Sequence, residues 1–445
     1  LMQRRTLIGS LAAGLFALTA CGGGQNTDVT AAADGTASAL SAGGGHVSLI
    51  DHGPNAVSLW SQVGAATVNL PAAATGTPEE RRPNYAFDMA TMHVAMYDAA
   101  VAITRNYAPL LAPVADAPDL ASLPVDAAIY AAAHGVLLGL FPNRAATYQP
   151  TYDAAVAALP PDTSTARAIA LGAEVARRVL AARADDGRWT DMPAYVPGSA
   201  PGDFRGTNPI GLTNPFIRPF VMASASQFRA DPPPSLTSDE YTGSFDEVKA
   251  WGSATSTVRT AEQTEIARFH TEPPPLFWTR NLRRFASSQP TLVANARLMA
   301  MLYVNQADVS VGCFESKYHY NRWRPTSAIR LADTDGNSAT SADPGWTPVV
   351  PTPNHPEYPA AHACVAATVA ETLKQVYGTP QVSFAFDSSV TGQTHAWGSV
   401  NDFTKEIADA RVWGGMHFRF STVQGDVLGT KLAKLVGREH FQALK

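Results

Sequence analysis

The chain has 445 residues, 45% of them hydrophobic and 16% charged, with a formal net charge of −5. That balance excludes an intrinsically disordered chain and a general electrostatic attraction to nucleic acid. After residue 21 no run of 18 apolar residues occurs, the length a membrane-crossing helix needs.

Residues 1–21 read as a targeting segment. Arg4-Arg5 supplies the positive start, which also suits a twin-arginine signal, and residues 7–20 supply a short apolar run. Leu18-Thr19-Ala20-Cys21 resembles a bacterial lipobox, which implies cleavage before Cys21 and a lipid anchor on it. The expected location is therefore the bacterial cell envelope, facing the periplasm or exterior. Residues 22–54 are expected to be a flexible tether, since they open on Gly, Ala, Ser and Thr with few bulky side chains.

The folded part is expected in two halves, residues 55–290 and 291–445. Residues 48–84 are mixed and proline-containing, and predict loop with short elements. From Tyr85 the pattern turns helical: Phe87, Ala90, Val94, Tyr97 and Val101 share one face. Residues 125–141 and 165–186 predict two more helices, the second closed at Asp186-Gly187. His93 and His134 within these helices read as packed core histidines. Residues 188–235 carry nine prolines and predict a long loop placed over a site. Ser238 predicts an N-cap for a helix running to Trp251. Thr260 and Gln263 form a capping box, and Pro273–Pro275 would break the helix they open. Residues 291–311 predict a helix leading into Lys317. Only residues 380–390 suggest an extended piece. The fold class is all-α: packed helical bundles with long proline-rich loops.

Three patterns follow in order within 101 residues: Lys317, six residues, Arg324-Pro325; then Pro359-Ala360-Ala361-His362; then Arg411, five residues, His417. Their residue types suit one small oxyanion. Guanidinium groups are permanently charged forks that match such oxygens, and lysine adds a point charge. Histidine exchanges protons near neutrality, or attacks or ligates a central atom. Pro359 is expected in the first turn of a helix through residues 363–376, with the backbone N–H groups of Ala360 and Ala361 aimed at the anion. Gly414 and Gly415 would let the backbone approach the same ligand. Asp333, Asp335 and Asn337 begin like a calcium loop, but the twelfth place is Pro344, so that reading is rejected.

Taken together, the patterns resemble those of the superfamily that joins type 2 phosphatidic acid phosphatases, bacterial acid phosphatases and vanadium-dependent haloperoxidases. The run from His355 to His362 is similar to the haloperoxidase branch. The resemblance, over roughly residues 55–440, implies an all-α fold and a vanadate cofactor held by Lys317, Arg324, Ala360, Ala361 and Arg411, with His417 as its ligand. It implies His362 and Lys317 as catalytic groups, and His355 on the halide side of the pocket. The partners it implies are hydrogen peroxide, a halide and an organic acceptor. One departure stands out: the family has a serine where this chain has Ala360. Two alternatives stay open, a phosphatase with His417 as nucleophile and a non-catalytic oxyanion-binding lipoprotein. Cys313 and Cys364 are either two buried free thiols or a pair.

Overall fold

The protein is described from a computed structural model over residues 45–115 and 119–444. The targeting segment, Cys21 and the tether up to residue 44 lie outside the described residues. The last part of the expected tether is not free: Val47–Ser48 (β1) pairs in parallel with Val382–Asp387 (β2), which pairs antiparallel with Thr394–Trp397 (β3). The extended piece expected near residue 380 is β2. Its neighbour β3 gave no sequence signal, because four residues are too short for alternation to register.

Among the described residues, everything else of regular structure is helical, confirming the all-α class. The α-helices in order are α1 (Ala56–Val68), α2 (Pro78–Arg81), α3 (Tyr85–Thr104), α4 (Val125–Leu140), α5 (Gln149–Ala157), α6 (Thr163–Arg183), α7 (Asp239–Trp251), α8 (Ala261–Phe269), α9 (Pro274–Leu282), α10 (Leu292–Tyr320), α11 (Pro325–Arg330), α12 (Ala361–Tyr377), α13 (Val400–Trp413) and α14 (Arg419–Glu439). The cap signals at Ser238 and Thr260 hold as predicted, each side-chain oxygen accepting from the N–H three residues on. Other expectations need correction. Helix α1, at 13 residues, is longer than the short elements expected between residues 48 and 84, and Asn55 and Ser58 cap it reciprocally. Helix α6 ends at Arg183, before the expected Asp186-Gly187 close. The prolines at 273–275 do not break α8, which has already ended at Phe269; they open α9.

Helices α3 and α10 form the centre. Residues 86–103 of α3 are all buried, so this helix has no solvent face at all. It packs along α10, α4 and α6, while α10 also packs on α12 and α14. One apolar core therefore runs from Ala56 to Phe441 across both expected halves. The described residues form one compact unit. The polar groups on these central helices are satisfied locally. Asp98 of α3 accepts the N–H groups of Leu110, Leu111 and Ala112 at 2.7, 2.9 and 2.8 Å. Asp308 of α10 does the same for Phe220, Val221 and Met222. Each buried carboxylate thus pins a long connection to the core, where an unpaired one would be costly. His93 stacks on Tyr303 with ring centroids 4.7 Å apart, and His134 stacks on Tyr152 at 3.9 Å, both as core histidines.

Candidate active site

Helix α10 runs nine residues further than the sequence predicted and carries Lys317 in its last turn. Asn321 then adopts a left-handed conformation, φ 49°, and ends it. Lys317 and Arg324 consequently do not share a helix face. Pro325 holds Arg324 extended at φ −81°, ψ 158°, and opens α11. The reversal folds Arg324 back toward the Lys317 turn.

Helix α12 begins at Ala361, with Ala360 as its N-cap and a cis peptide bond between Tyr358 and Pro359. Pro359 therefore precedes the helix, contrary to the expectation that it sits in the first turn. The Ala360 N–H is also committed: it donates to the Ser421 carbonyl at 3.0 Å. Of the two backbone donors expected to face an anion, the Ala360 N–H is thus taken, while Ala361 stands as the first residue of α12. Helix α14 lies close on this start. A Cβ on Gly425 would stand 2.6 Å from the Ala360 carbonyl oxygen, so glycine is required there.

Arg411 occupies the last turn of α13, and His417 the turn before α14. The six-residue spacing works because Gly415 takes φ +75° and redirects the chain. Both glycines, expected to let the backbone approach the ligand, are tightly packed, and a Cβ on Gly414 would stand 2.7 Å from the Met416 side chain. A Cβ on Gly415 would meet the Gly252 carbonyl oxygen at 2.6 Å and Pro348 at 2.7 Å.

The three motifs converge. Lys317 Nζ donates to the carbonyls of Pro356, Glu357 and Pro359 at 2.9, 2.9 and 2.5 Å. Its ammonium therefore fastens the turn that presents Ala361 and His362. Arg324 donates from Nε to the His355 carbonyl at 2.9 Å, and from Nη1 to the Met416 carbonyl at 2.9 Å and His417 Nε2 at 3.0 Å. Its Nη2 donates to His355 Nδ1 at 3.0 Å. His355 is thus a buried site histidine, its ring 5.2 Å from that of Phe314. Arg411 donates from Nη1 to the His270 carbonyl at 3.1 Å and from Nη2 to Met416 Sδ at 2.8 Å. Its Nε is buried with no hydrogen-bond partner among the described residues.

Arginine can only donate, so His417 Nε2 must accept, and the ring proton must lie on Nδ1. That proton points at Glu357 Oε1, 2.8 Å away, which also accepts the Phe418 N–H at 3.1 Å. A fully buried carboxylate therefore sets the tautomer and aims the Nε2 lone pair at the cationic cluster. Glu357 was missed in the motif reading, although it stands inside the run from His355 to His362. A lone acidic residue among prolines and aromatics was the available signal.

The charges do not balance. Burial lowers Lys317 to about 8, Arg324 to about 10 and Arg411 to about 9, so all three remain charged at neutral pH. Burial raises Glu357 to about 7, against the pull of Arg324 and Lys317. Among the described residues no carboxylate pairs with Arg411, and the like charge of Arg324 adds to burial in lowering it. Burial and the surrounding cations hold His417 and His362 well below the usual imidazole range, hence neutral. His362 is half-buried and makes no hydrogen bond within the described residues. A neutral imidazole beside Arg411 and the α12 N-terminus is positioned to take up a proton. Buried uncompensated cations are costly unless an anion pairs with them. The residues present therefore fit an oxyanion such as vanadate.

The proline-rich loop lies against this site. Phe204 N–H donates to the Asn321 carbonyl at 2.8 Å, Trp323 N–H to the Gly202 carbonyl at 2.8 Å, and the Tyr358 hydroxyl to the Asp231 carbonyl. A second network backs Arg411. His270 Nε2 and His395 Nδ1 both meet Glu406 Oε1, at 2.9 and 2.7 Å, and His395 Nε2 meets Glu265 at 2.9 Å. His270 and His395 had no assigned role in the sequence reading; here they brace the strand end and the carbonyl that receives Arg411. A surface cavity of about 1050 Å³ between α1 and the sheet contains none of the motif residues, and its Arg280 and Arg284 are paired with Asp387.

Comparison with known proteins agrees with this geometry. Residues 297–444 match the VCPO second helical-bundle domain. Vanadium chloroperoxidase of Curvularia inaequalis is 26% identical over 187 residues, spanning 34% of this chain and 30% of that protein. A bacterial vanadium-dependent iodoperoxidase structure superposes with a TM-score of 0.69 at 21% identity, covering 88% of this chain and 96% of its own. A holo-type bacterial vanadium-dependent chloroperoxidase gives 0.66 at 15% identity, covering 87% and 97%. These last two likenesses establish the fold. The domain match covers the stretch that carries Lys317, Arg324, His362, Arg411 and His417, so the chain is similar there to the vanadium chloroperoxidases.

Proposed function

We propose that this protein is a vanadate-dependent haloperoxidase, oxidising a halide with hydrogen peroxide to a hypohalous species that attacks an organic acceptor. The observation that carries the reading is the buried cluster of Lys317, Arg324 and Arg411, with no carboxylate paired to Arg411 among the described residues and the His417 Nε2 aimed into it by Glu357. Arg324, Arg411 and the Ala361 N–H would hold vanadate, with His417 Nε2 as its ligand, while Lys317, whose three N–H groups are taken by carbonyls, would attract it by charge. When bound, vanadate supplies Lewis acidity that activates peroxide without a change of metal oxidation state. The chain's own groups do the rest. Arg324 turns its Nη1 from His417 to the anion. Arg411 Nε gains the acceptor it lacks. Lys317 stabilises negative charge through the turn it fastens. His362 takes a proton from entering peroxide and returns it to departing water. Buried His355 and half-buried Phe314 form the wall on the halide side. Cys21 carries the lipid anchor and the protein works in the cell envelope; the lipobox pattern and the Gly/Ala/Ser-rich tether motivate this part.

The test loads metal-free protein with vanadate, removes the excess, and assays peroxide-dependent oxidation of chloride, bromide and iodide beside phosphate-ester hydrolysis. Halide oxidation that follows vanadium content supports the proposal. Ester hydrolysis by the metal-free protein, with no halide oxidation after loading, would assign the site to a phosphatase using His417 as nucleophile.

A further inference from the structure

Two thiols stand directly behind the oxyanion site. Cys313 Sγ and Cys364 Sγ are 3.1 Å apart, both buried, in a structure where both are free. Cys313 lies on α10 one turn before Lys317, and Cys364 on α12 one turn after Ala360. Cys313 Sγ approaches the Pro359 carbonyl at 3.8 Å, the same carbonyl that receives Lys317 Nζ. Cys364 N–H bonds the Ala360 carbonyl at 3.0 Å. The pair thus joins the helix that carries Lys317 to the helix that carries His362, at the level of the turn between them. Closure to a disulfide, with sulfurs about 2.05 Å apart, requires a shift of only about 1 Å.

We propose that Cys313 and Cys364 are a redox-active pair that hydrogen peroxide converts to a disulfide bracing α10 against α12 behind the site. The Cys313 thiolate attacks one peroxide oxygen and the O–O bond breaks, giving a sulfenic acid and hydroxide, which takes the thiol proton to become water. Cys364 sulfur then attacks the sulfenic sulfur, the S–O bond breaks, the S–S bond forms and a second water leaves. Two thiols lose two electrons and one peroxide becomes two waters. The asymmetry of the pair supports this order. Burial penalises the Cys313 thiolate, but the Cys364 hydrogen bond and the charges of Lys317 and Arg324 outweigh it and draw the thiol below its ordinary value. Cys364, burdened by burial and by Cys313, stays protonated. Arg324 and Lys317 thus favour a nucleophile at Cys313 and a resolving thiol at Cys364. The inference does not depend on halide turnover, because the oxidant acts on the thiols directly.

The test exposes the full chain to hydrogen peroxide, denatures it, blocks free thiols with iodoacetamide and digests it with trypsin. Cys313 and Cys364 fall on separate tryptic peptides, residues 298–317 and 331–374. The expected product is one cross-linked species joining them, absent after reduction. In Cys364→Ser, dimedone should trap Cys313 as the sulfenic acid. Oxidised wild type should also melt at a higher temperature than reduced wild type, a shift that Cys364→Ser lacks. Peroxide treatment that leaves both thiols fully alkylated, or that converts them to sulfinic acids without a cross-linked peptide, would overturn the proposal.

Discussion

Replacing Glu357 by glutamine keeps the side-chain volume and one oxygen but removes the charge that orients His417. Glu357 Oε1 accepts from His417 Nδ1 at 2.8 Å and from the Phe418 N–H at 3.1 Å. Hydrogen bonds to a charged group contribute about 1.5–3 kcal/mol and neutral ones about 0.5–1.5, so each bond weakens by about 1–1.5 kcal/mol. Two effects on anion binding then oppose. Removing a negative charge makes the pocket more positive, which favours an anion. Losing the orienting carboxylate lets the ring turn and lowers its basicity, which at metal sites costs about 10–100-fold in affinity. The second effect wins near neutrality, because burial has raised Glu357 to about 7 and its charge is only partly present there. Glu357→Gln should therefore bind vanadate about tenfold more weakly at pH 7, a loss of about 1.4 kcal/mol. Calorimetric titration of the metal-free proteins measures this, with a urea midpoint to show that the variant is folded. A folded variant that binds vanadate equally or more tightly would refute the orienting role.

His417→Ala should retain almost no vanadium after gel filtration, whereas His362→Ala should retain it and lose about 10²–10⁴-fold in halide oxidation; equal vanadium loss in both would show the two roles misassigned. Ala360→Ser places a hydroxyl at the N-cap of α12 and should tighten vanadate binding about threefold to tenfold, the worth of about 0.5–1.5 kcal/mol. An unchanged dissociation constant with a raised melting temperature would mean that the hydroxyl caps the Ala363 N–H instead. His395→Gln probes the network behind Arg411. Burial lowers the His395 pKa, but the hydrogen bonds and charges of Glu406 and Glu265 outweigh it and raise it. A raised histidine contributes stability that is full below its unfolded pKa, about 6.5, and fades as pH rises through the folded value. The destabilisation by His395→Gln, measured as a urea midpoint shift, should therefore be larger at pH 6 than at pH 9; a pH-independent shift would contradict the ion pairing.

The all-α architecture was legible because helical periodicity and caps are local. Phe87, Val94 and Tyr97 mark α3 by spacing alone, and Ser238 and Thr260 mark their helices by side-chain chemistry. The positively charged residues of the site were legible because the motifs keep their order over a short stretch. What escaped was set by tertiary contacts. Asn321 stops α10 only after Lys317 has entered it, and the Ala360 N–H is taken by Ser421, a residue 61 positions away. Glu357 needed the fold to meet His417, since sequence shows a carboxylate near a motif but not the imidazole it faces. His270 enters the site through its carbonyl, which no residue pattern reveals.

The central claim is that the excess buried positive charge is an oxyanion site. Vanadate binding to metal-free wild type and to Arg411→Met tests it most directly, because among the described residues Arg411 has no carboxylate partner and its Nε no hydrogen-bond partner. Wild type should take up one vanadate per chain. Arg411→Met removes a charge-assisted hydrogen bond worth about 1.5–3 kcal/mol and should bind about 10–150-fold more weakly. Equal affinity in the two proteins, or no binding to wild type, would contradict the account.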